Sequence, residues 1–298
     1  MAPPLTISGD LTIFAVSSNI NELATKIRDT GKTIQELRHD QHEKDIRVWL
    51  SAPDPSVNYT NALEKRHEGT GLWFTDGQAF SEWKKQSNSF LWLYGIPGCG
   101  KTILSSTIIQ CLKTVTTETQ ALLYFFFDFN DTNKQTLESM LRSLVSQLYQ
   151  GQPDARGPLD QLWKSSGEGD QQLSKQSLKD VLLVMLHGFN DVSIVLDALD
   201  ESNTRTDLLI WLGDVFKSES FSCRILVTAR READIETTLQ HWTQPQDMVN
   251  INQDDVSADI RAYINHTVRD SKELDRWHKL PEVQNEIETE LVEKAGGM

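Results

Sequence analysis

Residues 95–102 read Gly-Ile-Pro-Gly-Cys-Gly-Lys-Thr, an instance of the pattern G-x-x-x-x-G-K-[ST]. The flanks constrain the fold as much as the motif does. Phe90-Leu91-Trp92-Leu93-Tyr94 in front is an unbroken apolar run that reads as a buried strand, and Ile103 to Leu112 behind it reads as a helix. Glycines in such a loop let successive backbone N–H groups point at one place, and the helix N-terminus adds partial positive charge there. The segment is therefore suited to hold phosphate. Gly95, Ile96, Pro97, Gly98, Cys99 and Gly100 form the cradle. Lys101 is placed to reach β- and γ-phosphates, and the Thr102 hydroxyl to ligate Mg²⁺.

The rest of the composition narrows the partners. The net charge of −14 comes with no Lys/Arg-rich block, which argues against a nucleic-acid-binding face. Three widely spaced cysteines, Cys99, Cys111 and Cys223, make neither a disulfide framework nor a zinc pattern. No signal peptide and no membrane-spanning run is visible, so a reducing, cytoplasmic setting is the expectation.

Four sections follow along the chain. Residues 1–50 read as a helical section. Leu11 to Val16 is a short strand or a helix start. Ile20, Leu23, Ile27, Ile34 and Leu37 then recur at helical spacing, with Gly31 as a weak point that allows a hairpin, and Gln41 to Leu50 forms a second helix. The apolar stripe either docks on the neighbouring domain or binds a partner helix. Residues 51–88 start with the helix breaker Ser51-Ala52-Pro53-Asp54-Pro55 and lead into the phosphate-loop domain. Residues 89–252 alternate apolar strands with amphipathic helices, the mark of a parallel sheet covered on both faces. Residues 253–298 read as purely helical.

A second apolar strand ends in acids: Ser193-Ile194-Val195-Leu196-Asp197-Ala198-Leu199-Asp200-Glu201. Asp197 emerges at the carboxyl edge of the sheet, where it can hold Mg²⁺ through water, and Asp200 or Glu201 is placed to orient and deprotonate an attacking water. A third strand, Ile225-Leu226-Val227, delivers Thr228-Ala229-Arg230 to the same edge. Arg230 is a candidate γ-phosphate sensor, with Arg231 as the adjacent alternative.

Gly95 to Thr102, Leu196 to Glu201 and Thr228 to Arg230 together resemble the NACHT module of the STAND signalling NTPases. Arg66 to Phe74 and Phe126 to Asp131 resemble its fungal branch, which holds NOD-like receptors and heterokaryon-incompatibility proteins. The resemblance covers about residues 40–298. It implies a three-layer α/β P-loop NTPase sandwich followed by helical and winged-helix lids. In it Lys101 and Thr102 bind phosphate and Mg²⁺, Asp197 serves the metal, Arg230 is the sensor, and Gly69, Thr70 and Gly71 lie near the base. Ala229 stands where relatives often carry Ser. Residues 253–298 correspond to the start of the helical lid, and the chain stops at Met298, where relatives continue into lids and repeats.

The expectation is a switch that binds ATP or GTP with Mg²⁺, hydrolyses it slowly, self-associates when active and signals through its N-terminal section to a downstream partner. Two rivals stand beside it. A mechanochemical AAA-type ATPase would take its arginine finger from Arg205, Arg230 or Arg231. A non-hydrolysing, nucleotide-bound interaction module would work through the N-terminal helix.

Overall fold

The computed structural model describes residues 9–295 except Glu219, Asn252, Ser271 and His278. The chain divides into two compact units, Met1–Leu50 and Ser51–Met298.

Among its described residues the first unit is one helix of 42 residues, α1 (Gly9–Leu50). Its continuity decides between the alternatives and corrects one expectation. Leu11 to Val16 is a helix start and not a strand, no hairpin forms at Gly31, and Gln41 to Leu50 is not a second helix but continues the same one. One glycine costs a helix only about 1 kcal/mol relative to alanine, and no proline interrupts the segment, so nothing stops propagation. Leu23, Ile27, Ile34 and Leu37 are solvent-exposed along α1.

In the second unit the lead-in is helical: α2 (Ser56–Lys65), α3 (Leu72–Thr75) and α4 (Gln78–Lys85). The apolar runs then become five strands, β1 (Ser89–Tyr94), β2 (Gln120–Phe126), β3 (Asp191–Asp197), β4 (Ser222–Ala229) and β5 (Met248–Asn250). They pair in one all-parallel sheet of order β2-β3-β4-β1-β5. Parallel neighbours require crossovers, and helices supply them. These are α5 (Lys101–Lys113) after β1, α6 (Leu137–Gly151), α7 (Gly157–Ser165) and α8 (Lys175–Leu186) after β2, α9 (Arg205–Phe216) after β3, and α10 (Ala233–Leu239) after β4. This is the α/β P-loop NTPase-like sandwich that the sequence implied.

Burial on both faces explains the strand composition. Phe90 to Leu93, Ile194 to Leu196 and Ile225 to Val227 are all buried. Leu91, Leu93, Ile108, Phe126, Val195 and Leu226 join one core cluster, and Phe74, Phe80 and Trp83 of the lead-in belong to it. Trp83 is fixed in direction by its indole N–H, which donates to the Ile225 carbonyl at 3.0 Å. After β5 come α11 (Gln253–Asp270) and α12 (Pro281–Ala295), held together by Arg269 on Glu288 at 2.6 Å and by the Gln284 amide on the Val268 carbonyl at 3.1 Å. Among the described residues no helix is long and apolar enough to cross a membrane.

Strand order decides what meets at the site. β4 lies between β1 and β3. Tyr94 pairs with Ala229 and Leu196 with Val227, so the three strands end level. The loop after β1, the acids after β3 and the polar end of β4 therefore share one edge.

Candidate functional site

Gly95 to Gly100 joins β1 to α5. Gly98 and Gly100 adopt left-handed backbone angles (φ 82° and 85°), which side chains resist. Gly95 is needed for space: a Cβ there would lie 2.6 Å from Cys99 Sγ and 3.1 Å from the Ile251 carbonyl oxygen. The Lys101 ammonium arches back over this loop and donates to the Gly95 and Ile96 carbonyls, each at 2.9 Å. Positive charge thus sits at the mouth of the loop, ahead of the N-terminus of α5.

Asp197 closes the far side. It is 2% exposed. One carboxylate oxygen accepts the Thr102 hydroxyl at 2.7 Å, and the other accepts the Ser105 and Thr228 hydroxyls, each at 2.6 Å. Burial pushes the Asp197 carboxyl above the ordinary carboxylate range, while the hydroxyls of Ser105, Thr228 and Thr102 and the Lys101 charge act against it. Thr228 also accepts the Ala198 N–H at 3.0 Å. Ala198 itself turns left-handed (φ 56°, ψ 49°), which bends the chain into a one-turn helix over Leu199–Glu201.

That turn separates the two remaining acids. Asp200 accepts the Arg230 N–H at 2.9 Å and lies 3.0 Å from the Arg230 Nε. Its own carbonyl accepts from Arg205, which also binds Glu232 at 2.8 Å and Asp234 at 3.0 Å. Glu201 has no ion-pair partner among the described residues. It accepts the Phe129 N–H at 2.9 Å. Burial raises its pKa first, and the charges of Asp200, Asp128 and Asp197 raise it further, against the Phe129 hydrogen bond. Arg231 is bound to Glu236 at 2.6 Å and lies over the Tyr94 ring at 5.4 Å.

Gly69 and Gly71 are left-handed (φ 85° and 81°), and the turn they make ends in α3. The Gly71 N–H donates to Asp259 of α11 at 2.8 Å, and the Thr70 carbonyl accepts from Arg66 at 3.1 Å. A cavity of about 340 Å³ connects this turn with Gly98 to Gly100, walled by Trp73, Ile103, Asp259 and Tyr263.

The structure therefore brings Lys101, Thr102, Asp197, Asp200, Glu201 and Arg230 to one sheet edge, with Gly69 to Gly71 across the cavity. Three residues at this site were given no role by the sequence alone. Ser105 lies one helical turn after Thr102, a spacing that signals a shared face. Thr228 entered only as part of a motif, and only the order of the strands gives its hydroxyl a role. Nothing in the sequence links Asp259 to Gly71.

Two comparisons with known proteins bear on the family of this chain. Over 208 residues the chain is 28% identical to the vegetative incompatibility protein HET-E-1 of Podospora anserina, a stretch covering 66% of this chain and 15% of that relative. The chain thus spans a small part of the relative's length, and the likeness supports the resemblance to fungal NACHT-type NTPases. A family model described as nephrocystin 3, N-terminal, matches residues 69–230, from the Gly69 turn through the Gly95 to Thr102 loop and Asp197 to Arg230. With more than half of its residues inside that match, this chain belongs to the nephrocystin 3 N-terminal family.

Proposed function

We propose that this chain is a purine nucleoside triphosphate-binding signalling switch with slow Mg²⁺-dependent hydrolysis, controlling self-association in signalling of the vegetative-incompatibility kind. One observation carries the reading: the Thr102 hydroxyl and the Asp197 carboxylate meet at 2.7 Å beside a glycine cradle topped by Lys101. A hydroxyl and a carboxylate are the hard oxygen donors that Mg²⁺ takes, with water and phosphate completing its shell. When bound, the ion would neutralise charge on the β- and γ-phosphates.

The chain's own residues would do the rest. Loop amides from Gly95 to Gly100 would bind the phosphates, and Lys101 would exchange its two carbonyls for phosphate oxygens. Glu201, its pKa raised by burial, would orient and deprotonate the attacking water. Arg230 would leave or share Asp200 to read the γ-phosphate. The 340 Å³ cavity beside Gly69 to Gly71 would take the base. Arg205, Arg230 and Arg231 are each held by a carboxylate of their own chain, which favours a switch over a mechanochemical ATPase. In this reading residues 89–252 are the nucleotide domain, 51–88 its lead-in, 253–298 the start of a helical lid, and 1–50 the segment that meets a signalling partner.

The test is calorimetric titration of the full chain, freed of copurifying nucleotide, with ATP and GTP in the presence and absence of Mg²⁺. Binding that Mg²⁺ strengthens is expected with at least one of them. Absence of heat with both, on folded protein, overturns the reading.

A further inference from the structure

The stripe on α1 obeys a stricter rule than helical amphipathicity. Isoleucine recurs every seven residues at Ile13, Ile20, Ile27 and Ile34. A second series, Val16, Leu23, Thr30 and Leu37, follows each isoleucine by three. These are the a and d positions of a coiled coil, sustained over four heptads. A helix folded onto a globular core has a broader apolar face at a period of 3.6, whereas a period of 3.5 keeps one narrow seam facing a second helix. The helix that carries the pattern is unbroken from Gly9 to Leu50 and forms a unit of its own. Leu23, Ile27, Ile34 and Leu37 are exposed by 58%, 71%, 46% and 62%, far more than residues of a filled core.

We propose that α1 pairs with α1 of a second copy of this chain as a parallel, two-stranded coiled coil along Ile13 to Leu37. Two features select that occupant. β-branched residues at a with leucine at d favour two parallel strands, and here isoleucine holds all four a positions and leucine two of the four d positions, Leu23 and Leu37. The flanking positions along Ile13 to Leu37 tolerate self-pairing: in a parallel pair, Thr12 faces Ser17, Asn19 faces Ala24, Lys26 faces Gly31 and Thr33 faces Arg38, and the first like-charge pair, Asp40 with Asp45, falls past the end of the seam. In the fully overlapped antiparallel pair, Lys26 would face its own copy. Four heptads give a seam of roughly 36 Å. Thr30 is the one polar residue in it and weakens the pair at its middle. The inference deepens the self-association in the proposed function and rests on that part of it alone, because the seam contains no nucleotide-site residue.

Sedimentation equilibrium of the full chain at micromolar concentration tests it, with nucleotide titration run on the same samples. Wild-type protein is expected as a dimer, and the double variant Ile27→Asp, Ile34→Asp as a monomer of unchanged nucleotide affinity. Both positions are exposed, so the variant keeps its fold. Thr30→Leu is expected to tighten the dimer about tenfold or more. Leu37→Cys is expected to form a disulfide-linked dimer on oxidation, since a parallel pair sets Leu37 beside its copy whereas an antiparallel pair sets it beside Ile13. A monomeric wild type, a dimer that survives the double aspartate variant, or a Leu37→Cys protein that does not cross-link overturns the proposal. A dimer that binds no nucleotide upholds it and overturns the nucleotide reading instead.

Discussion

Thr102 donates its hydroxyl to the Asp197 carboxylate at 2.7 Å, across 95 positions of chain. The contact ties the start of α5 to the end of β3. Ser105 and Thr228 add their hydroxyls to the same carboxylate, so one buried acid gathers three elements. A carboxylate at full burial is costly to charge, and hydroxyl donors with an adjacent ammonium lower that cost.

Asp197 therefore has separable structural and electrostatic roles. Asp197→Ala leaves the buried Ser105 and Thr228 hydroxyls without their acceptor and is expected to cost about 3 kcal/mol of stability. Asp197→Asn keeps an acceptor oxygen and is expected to cost about 1 kcal/mol, while abolishing the Mg²⁺-dependent part of nucleotide affinity. Urea unfolding and titrations with and without Mg²⁺ measure both. Equal destabilisation by the two substitutions would contradict this division.

Glu201→Gln preserves a side-chain acceptor for the Phe129 N–H and removes the proposed base. Nucleotide affinity should stay within a few-fold of wild type, and single-turnover hydrolysis should slow by about a hundredfold or more. A variant hydrolysing at the wild-type rate would exclude Glu201 from the chemistry.

Arg230 is half-exposed, whereas the Asp200 side chain it binds is 3% exposed. Arg230→Ala should destabilise the protein by about 1–2 kcal/mol, less than a fully buried pair would lose, because Asp200 keeps the Arg230 backbone N–H. Its preference for triphosphate over diphosphate should fall as well. Preference unchanged in a competition titration would remove Arg230 as the sensor.

Gly95→Ala drives a methyl group into Cys99 and the Ile251 carbonyl. The Gly95 to Gly100 loop must shift while the sheet stays paired. Expected are a circular-dichroism spectrum close to wild type and nucleotide binding weakened at least about tenfold, with overpacking costing about 1–3 kcal/mol. Wild-type affinity would show that the loop absorbs the methyl group.

Burial pushes the Cys223 thiol up to about 12. Its unfolded value is about 8.5. The folded state holds this proton longer, so the associated stability is intact below the unfolded value and is lost as pH rises toward the folded one. Unfolding free energy should fall in that alkaline window, with Tyr59 and Tyr124, also raised by burial, adding to the loss. Cys223→Ala should flatten the slope. At neutral pH a thiol reagent should label Cys99 and Cys111, which are partly exposed, and reach Cys223 only after unfolding. Rapid labelling of Cys223 in the native protein would contradict its burial.

The sequence by itself determined the glycine loop before α5, the strands, the α/β class and the identity of most residues at the sheet edge. Each rests on neighbours in the chain: glycines at fixed offsets, unbroken apolar runs, acids at a strand's end. Even the heptad of α1 is a local pattern. Only the tertiary structure decided the partnerships. The order β2-β3-β4-β1-β5 set Thr228 beside Asp197 and Arg230 beside Asp200, and a left-handed Ala198 sent Asp200 and Glu201 to different neighbours. The Gly71 to Asp259 contact spans 188 positions. Strand order and crossover path are properties of packing, in which distant segments compete to bury the same faces, so no local spacing encodes them.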